Sequence, residues 1–337
     1  MSRPDDREER YPMTVPLDPT SWNIATSDGQ LDAFVMGEEL ADLADDRPEI
    51  VLLTADLMTS NRTGDFARRH PHRHFDLGIA EQNMMGVAAG MAACGFRPYV
   101  STFASFASLL CAEHLRTDLA YPRMPVRVLA HHAGIAMGFY GTSHHAVEDI
   151  AVTRAIAHLT VVAPCDANAT RAVLRGTLDQ DGPVYIRLGR GREKPVYDAV
   201  PPLTPGRFST VRDGTDATIV ATGLGVQISL AAARLLAADG IDVRVLDAVY
   251  LKPFDEEAVV AAAEQTGHVL TVEEHNVVGG LGAAVGDVLA RHRLAPAFAV
   301  HGLPDDYALV APPTHLYRHY GLDPATVAAR MRELLKR

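Results

Sequence analysis

Short runs of consecutive apolar residues, bounded by polar or turn-forming ones, alternate along the chain with longer stretches of helical periodicity. Glu49–Ala55, Arg97–Phe103, Val126–Ala130, Thr160–Pro164 and Pro183–Leu188 are continuous rather than alternating, the pattern of strands buried on both faces. Helical patterns fall between them over Leu31–Leu43 and through Phe106, Leu109, Leu110 and Leu115. The order repeats further on: Ala217–Gly223, a helix over Val226–Ala238, Val243–Asp247 and Val269–Glu274. Such alternation predicts an α/β chain with two open, mostly parallel sheets, each covered by helices on both faces. The proline-rich, polar span 194–205 reads as a linker between domains at 21–193 and 206–337. No internal repeat is visible.

The stretch from Asp76 to Gly95 organises the rest. It predicts a strand end, a tight turn at Gly78, and a helix over Ile79–Ala93 closed by Gly95, a residue type that takes a left-handed cap without strain. Gly86, Ala89, Gly90 and Ala93 recur at helical spacing, and the helix is nearly free of charge. A helix like this is expected to be buried, its small residues letting a partner subunit approach closely. Glu81 is the exception. A first-turn acid complements the helix dipole, but in such surroundings it must be solvated, paired or kept protonated.

The 337 residues suffice for two ordinary domains, and 47% hydrophobic with 22% charged content describes a soluble chain with a sizeable core. A net charge of −11 argues against a nucleic-acid surface, while leaving anionic small molecules open to a local arginine. Residues 1–20 read as a disordered tail, charged at its start and without the apolar core of a signal peptide or membrane anchor. No apolar run reaches membrane-spanning length. Cys94, Cys111 and Cys165 are scattered, which argues against a disulfide or zinc framework and fits a reducing cytoplasm. The run Arg68–His74 invites a metal site, but its interleaved arginines repel a cation and Pro71 breaks helical ligand spacing, so no metal ligand is assigned. Gly223-Leu224-Gly225 lacks the third glycine of a dinucleotide fingerprint. The loop His131–His145, rich in glycine and histidine, has little to pack for its own sake and belongs with functional loops.

Asp76-Leu77-Gly78-Ile79-Ala80-Glu81-Gln82, Ser101-Thr102-Phe103 with Phe106, and Gly141-Thr142-Ser143-His144 resemble the pyrimidine-binding domain of transketolase and 1-deoxyxylulose-phosphate synthase. Thr271-Val272-Glu273-Glu274-His275-Asn276 with Gly279-Gly280-Leu281-Gly282, and Gly302-Leu303-Pro304-Asp305, are similar to that family's carboxyl-terminal domain. The likeness runs from about Trp22 to the end, and implies two three-layer domains of the kind that bind thiamine diphosphate. By position, it makes Glu81 the glutamate that bonds the aminopyrimidine ring nitrogen, where a held proton favours the reactive imino form. It makes Phe103 and Phe106 the apolar box for the pyrimidine, with Asp56 and Leu57 near the thiazolium. His132 and His144 become the histidines that shuttle protons and bond substrate hydroxyls. Ser60 and Arg190 match positions holding the substrate phosphate.

The departures bear on the substrate. Tyr140 stands where the family carries the acid that reads the acceptor's hydroxyl configuration, and Ser27 stands where it carries a phosphate-binding arginine. Both point away from ordinary pentose phosphates, toward a modified or less phosphorylated sugar such as a biosynthetic pathway handles. The Gly-Asp-Gly run with which complete members bind Mg²⁺ and diphosphate is missing, so the resemblance implies a split enzyme: a separate diphosphate-binding subunit in an α2β2 assembly, with no nucleic-acid or membrane partner. The reaction expected is transfer of a two-carbon ketol unit from a ketose or ketose phosphate to an aldehyde. Two other readings compete, the beta subunit of a 2-oxoacid dehydrogenase, and a non-catalytic partner subunit that keeps only the fold.

Overall fold

The computed structural model describes residues 35–190 and 193–336. The 1–20 tail and Ser27 lie outside the described residues. Twelve strands follow in chain order: β1 Ile50–Thr54, β2 His74–Asp76, β3 Arg97–Phe103, β4 Arg127–His131, β5 Thr160–Val162, β6 Val184–Arg187, β7 Ser209–Arg212, β8 Ala217–Ala221, β9 Val243–Asp247, β10 Tyr250–Lys252, β11 His268–Asn276 and β12 Ala297–Leu303. They form a seven-stranded sheet ordered β10-β5-β6-β4-β3-β1-β2 and a five-stranded sheet ordered β12-β11-β8-β9-β7. Every pairing is parallel except β10 with β5 and β7 with β9, at one end of each sheet. Both are the mostly parallel α/β sheets expected from the apolar runs, and β1, β4, β6 and β8 are buried along their whole length.

The helices begin where the sequence supplies a cap. Asp166 accepts from Ala169 N at the start of Ala167–Thr177, Asp255 from Ala258 N at Glu256–Thr266, and Asp323 from Thr326 N at Pro324–Leu334. Between β6 and β7, the described residues 193–208 form no helix or strand, yet they are tethered: Asp166 Oδ2 accepts Val196 N at 2.6 Å and Tyr197 N at 2.8 Å. The sheets are not separate bodies. β10, from the second half of the chain, completes the first sheet. One apolar core also joins Val128 and Ile150 to Val220, Leu246 and Leu281.

The organising helix starts two residues later than expected. It runs Glu81–Ala93, because Ala80 is non-helical at φ −149° and ψ 60°. Only one face is covered: Met84, Met85, Ala88 and Ala92 are buried, whereas Gly86 and Gly90 have open space where a Cβ would point. Ile79 is 83% exposed and Leu109 53% exposed. The sheet-facing side is thus buried within this chain, and the side bearing Gly86 and Gly90 is open in it.

Candidate functional site

Parallel pairing puts the carboxyl ends of β6, β4, β3, β1 and β2 along one edge of the first sheet. Arg190 follows β6, the 131–145 loop follows β4, Phe106 follows β3, Asp56, Leu57 and Ser60 follow β1, and Glu81 follows β2. In open α/β sheets this edge is where ligands bind.

Register brings the first group together. Phe103, the last residue of β3, pairs with His131, so His132 comes next to it, ring centroids 4.6 Å apart. Phe106 sits 5.8 Å from Phe103 at the start of a wide π-type turn, Phe106–Leu110. His144 meets both rings, at 5.8 Å from Phe103 and 5.2 Å, edge-on, from Phe106. Tyr140, 59% exposed, closes the cluster 4.9 Å from His144. Five residues singled out in the sequence thus form one aromatic pocket wall.

Glu81 is 5% exposed. Gln82 Nε2 donates to Leu110 O at 3.1 Å, tying the first turn of the Glu81 helix to the turn that begins at Phe106. Burial, and then the Glu81 charge, pushes the Cys111 thiol at the end of the same turn up to about 12. The Glu81 carboxylate opens the helix Glu81–Ala93, which follows β2 at the same sheet edge. Asp76 Oδ1 joins the next two loops, accepting Asp56 N at 2.9 Å and Gly78 N at 3.0 Å. Leu57 N donates to Thr54 Oγ1 at 3.3 Å. Asp56, Leu57 and Ser60 share the sheet edge, on the loop that follows β1.

Burial sets the chemistry of the histidines. His132, in a left-handed conformation at φ 59°, has its pKa driven well below the ordinary range, first by burial and then by the charges of His131, Arg190 and His144. Partial burial lowers His144, whose Nδ1 lies 2.9 Å from Ser143 Oγ. Both rings are neutral near pH 7 and can accept a proton from a bound hydroxyl. Arg190 Nη1 donates to Ala136 O at 3.0 Å, so the guanidinium also braces the histidine loop.

Two residues of this region carry roles that the sequence motifs do not assign. His131 is fully enclosed, which pushes its pKa down to about 3, and its Nε2 is buried without a hydrogen-bond partner. Glu274, at the end of β11, accepts Ile135 N at 2.8 Å from inside the histidine loop, and burial raises its carboxyl to about 7. A strand end carrying Glu273-Glu274-His275 is the one signal of it in the sequence. Among the described residues no group of three or more His, Cys, Asp or Glu side chains is gathered to hold a metal, and no helix is long and apolar enough to cross a membrane.

Known proteins match along most of the chain. The family described as "Transketolase, pyrimidine binding domain" matches residues 33–194, and "Transketolase, C-terminal domain" matches 206–327. The chain is 37% identical over 301 residues to one of the subunits of apulose-4-phosphate transketolase from Phocaeicola vulgatus, covering 89% of this chain and 96% of that one. It is 36% identical over 325 residues to 1-deoxy-D-xylulose-5-phosphate synthase of Syntrophotalea carbinolica, spanning 95% of this chain but 51% of that enzyme. Among solved structures, "Split gene transketolase, inactive beta4 tetramer" superposes with a TM-score of 0.83 at 42% identity, covering 90% of this chain and 97% of that one.

Proposed function

The chain belongs to the transketolase family, and from that premise we propose that it is the pyrimidine-binding subunit of a split, thiamine-diphosphate-dependent transketolase. It transfers a two-carbon ketol unit from a ketose or ketose phosphate to an aldehyde acceptor. The observation that carries this reading is the convergence of Glu81, Phe103, Phe106, His132 and His144 at one sheet edge, since no packing need would gather them.

The residues present fit one half of the cofactor. A flat aminopyrimidine suits the Phe103 and Phe106 rings, and its protonated ring nitrogen suits the buried Glu81 carboxylate. Mg²⁺ and the diphosphate fall to a partner subunit in an α2β2 assembly. In support, the chain spans 96% of a relative that is one component of a transketolase, against 51% of a one-chain synthase. The open face of Glu81–Ala93, with Ile79 and Leu109, is a surface for subunit packing. The enzyme works in the cytoplasm, in keeping with three unpaired cysteines.

Thiamine diphosphate, when bound, supplies a nucleophilic thiazolium carbon. Glu81 holds the proton at the pyrimidine nitrogen, and Phe103 and Phe106 orient the ring. Asp56 and Leu57 flank the thiazolium side. His132 and His144, neutral by burial, accept and return protons at the substrate hydroxyls. Ser60 and Arg190 take a substrate phosphate, and Tyr140 meets the acceptor where an acid would otherwise read its configuration.

Calorimetric titration of thiamine diphosphate with Mg²⁺, into this chain alone and with a co-expressed diphosphate-binding subunit, tests the reading. Binding in the mixture, lost in Glu81→Ala while folding and assembly persist, is the expected result. Cofactor-dependent turnover by Glu81→Ala equal to that of the unaltered enzyme would refute it.

A further inference from the structure

The loop that carries His132 and His144 also leans on the second half of the chain. Gly134, Gly138 and Gly141 all take positive φ, and each lies against the second half of the chain: a Cβ on Gly138 would stand 2.7 Å from Ala311 O, and one on Gly141 2.9 Å from the Val310 side chain. The tightest approach is at Gly134. There φ is 68°, and a Cβ would stand 2.1 Å from the Glu274 carboxyl carbon, so only glycine lets the loop descend onto that carboxylate.

Glu274 Oε1 accepts two bonds, from Ile135 N at 2.8 Å and from Tyr317 OH at 2.9 Å. Tyr317 belongs to helix Pro313–His319, whose first residue abuts Gly138. The backbone of Glu274 is tied to the far end of the loop as well. Arg187 Nη2 donates to Glu274 O at 2.9 Å and to Ala146 O at 3.2 Å, while Gly134 and Ala146 exchange backbone bonds of 2.9 Å. One residue of the second sheet therefore grips both the entry and the exit of the histidine loop.

We propose that Glu274, assisted by Tyr317, is a positioning residue of the transferase, fixing the loop that holds His132 and His144 against the Phe103–Phe106 wall. The inference rests on the roles given above to the two histidines. A second sheet that makes no ring contact with the pocket would thus take part in catalysis through one hydrogen-bonded carboxylate. The chemical requirement is an acceptor oxygen at the Glu274 side-chain terminus, which an amide also provides and a methyl group does not.

The test compares Glu274→Ala, Glu274→Gln and Tyr317→Phe in the full chain. Hydrogen exchange of the peptide spanning 132–145 is read on the chain itself, and ketol transfer, per folded molecule, on the chain with its partner. Removing the acceptor should speed exchange at the Ile135 amide roughly tenfold or more. It should also lower kcat on the order of ten- to a hundredfold, because the imidazoles lose their alignment. Glu274→Gln should restore both to within about threefold, since its oxygen still accepts. Tyr317→Phe should move both in the direction of Glu274→Ala by a smaller factor. A folded Glu274→Ala chain with unaltered loop exchange, or with faster exchange but unaltered kcat, would overturn the proposal. If Glu274→Ala does not fold, unaltered exchange and turnover in Tyr317→Phe would overturn it too. The exchange reading needs no cofactor, so a failure of the transketolase reading leaves this half of the answer standing and separately visible.

Discussion

Arg187 and Asp149 form an ion pair in which neither side chain meets solvent, with exposures of 4% and 0%. Arg187 Nε donates to Asp149 Oδ2 at 2.8 Å, and Tyr185 OH reaches the same oxygen at 3.2 Å. Replacing Asp149 with alanine leaves a guanidinium in the interior with two carbonyls and without its hydrogen-bonded counter-charge. The expected loss is about 3–5 kcal/mol, the range for a buried pair broken on one side. Tyr185 adds little, because its hydroxyl keeps Ala104 O at 3.5 Å. Arg187→Met should cost at least as much, since it strands the carboxylate and strips the carbonyls of Ala146 and Glu274. The double variant Asp149→Val/Arg187→Met removes both charges at once. What remains is the loss of the Arg187 bonds to two carbonyls, of which Ala146 O keeps Gly134 N, on the order of 2 kcal/mol, so it should be more stable than either single variant. Urea unfolding followed by far-ultraviolet circular dichroism near neutral pH measures all three. A double variant that loses the sum of the two single losses would refute the idea that an uncompensated charge dominates, as would an Asp149→Ala loss below about 1 kcal/mol.

Asp247 gives a prediction with a pH sign. Burial, offset in part by the Tyr197 and Cys165 hydrogen bonds and reinforced by the Asp166 charge, raises it from 3.8 to about 7. The native state therefore keeps a proton that the unfolded chain has released, so stability is complete below the lower value and is lost as pH rises through the upper one. A gap of roughly three pH units at about 1.36 kcal/mol each makes the full loss on the order of 4 kcal/mol. Asp247→Asn should thus be more stable than the parent above neutrality and lose that advantage under mild acid; urea midpoints that shift in parallel at both pH values would contradict this. Arg190→Ala should raise KM for phosphorylated ketoses roughly tenfold to a hundredfold more than for unphosphorylated ones, from the loss of a charge-assisted bond. Equal increases for both would instead trace the effect to lost bracing of the loop at Ala136.

Much of the site is legible in the sequence because it is local. Phe103 and Phe106 are three residues apart, Glu81 opens a helix after a glycine turn, and β3 and β4 are buried strands whose register leads Phe103 to His132. What escapes depends on distant partners or on side-chain alternation. Successive residues of a strand point to opposite faces, so Glu273 caps its own sheet's helix at Leu281 N and Gly282 N, while Glu274 reaches Ile135, 139 residues away in sequence. A two-letter acidic string cannot distinguish these fates. Nor can it reveal that His131 is enclosed and neutral beside a histidine facing the pocket. β10 is invisible because three residues carry no periodicity, and its partner β5 lies far upstream.

β10 has a bearing on inheritance. Its pairing of Tyr250 with Val162 seals the first sheet at β5 with a strand borrowed from beyond the linker. A fragment ending in the 194–205 span would leave Thr160–Val162 with a naked hydrogen-bonding edge, an invitation to edge-to-edge aggregation. The two halves are therefore not interchangeable cassettes. A graft of the second half from a relative must bring a β10 that fits the recipient's β5, and selection acts on the pair of strands across the linker as a single unit of heredity.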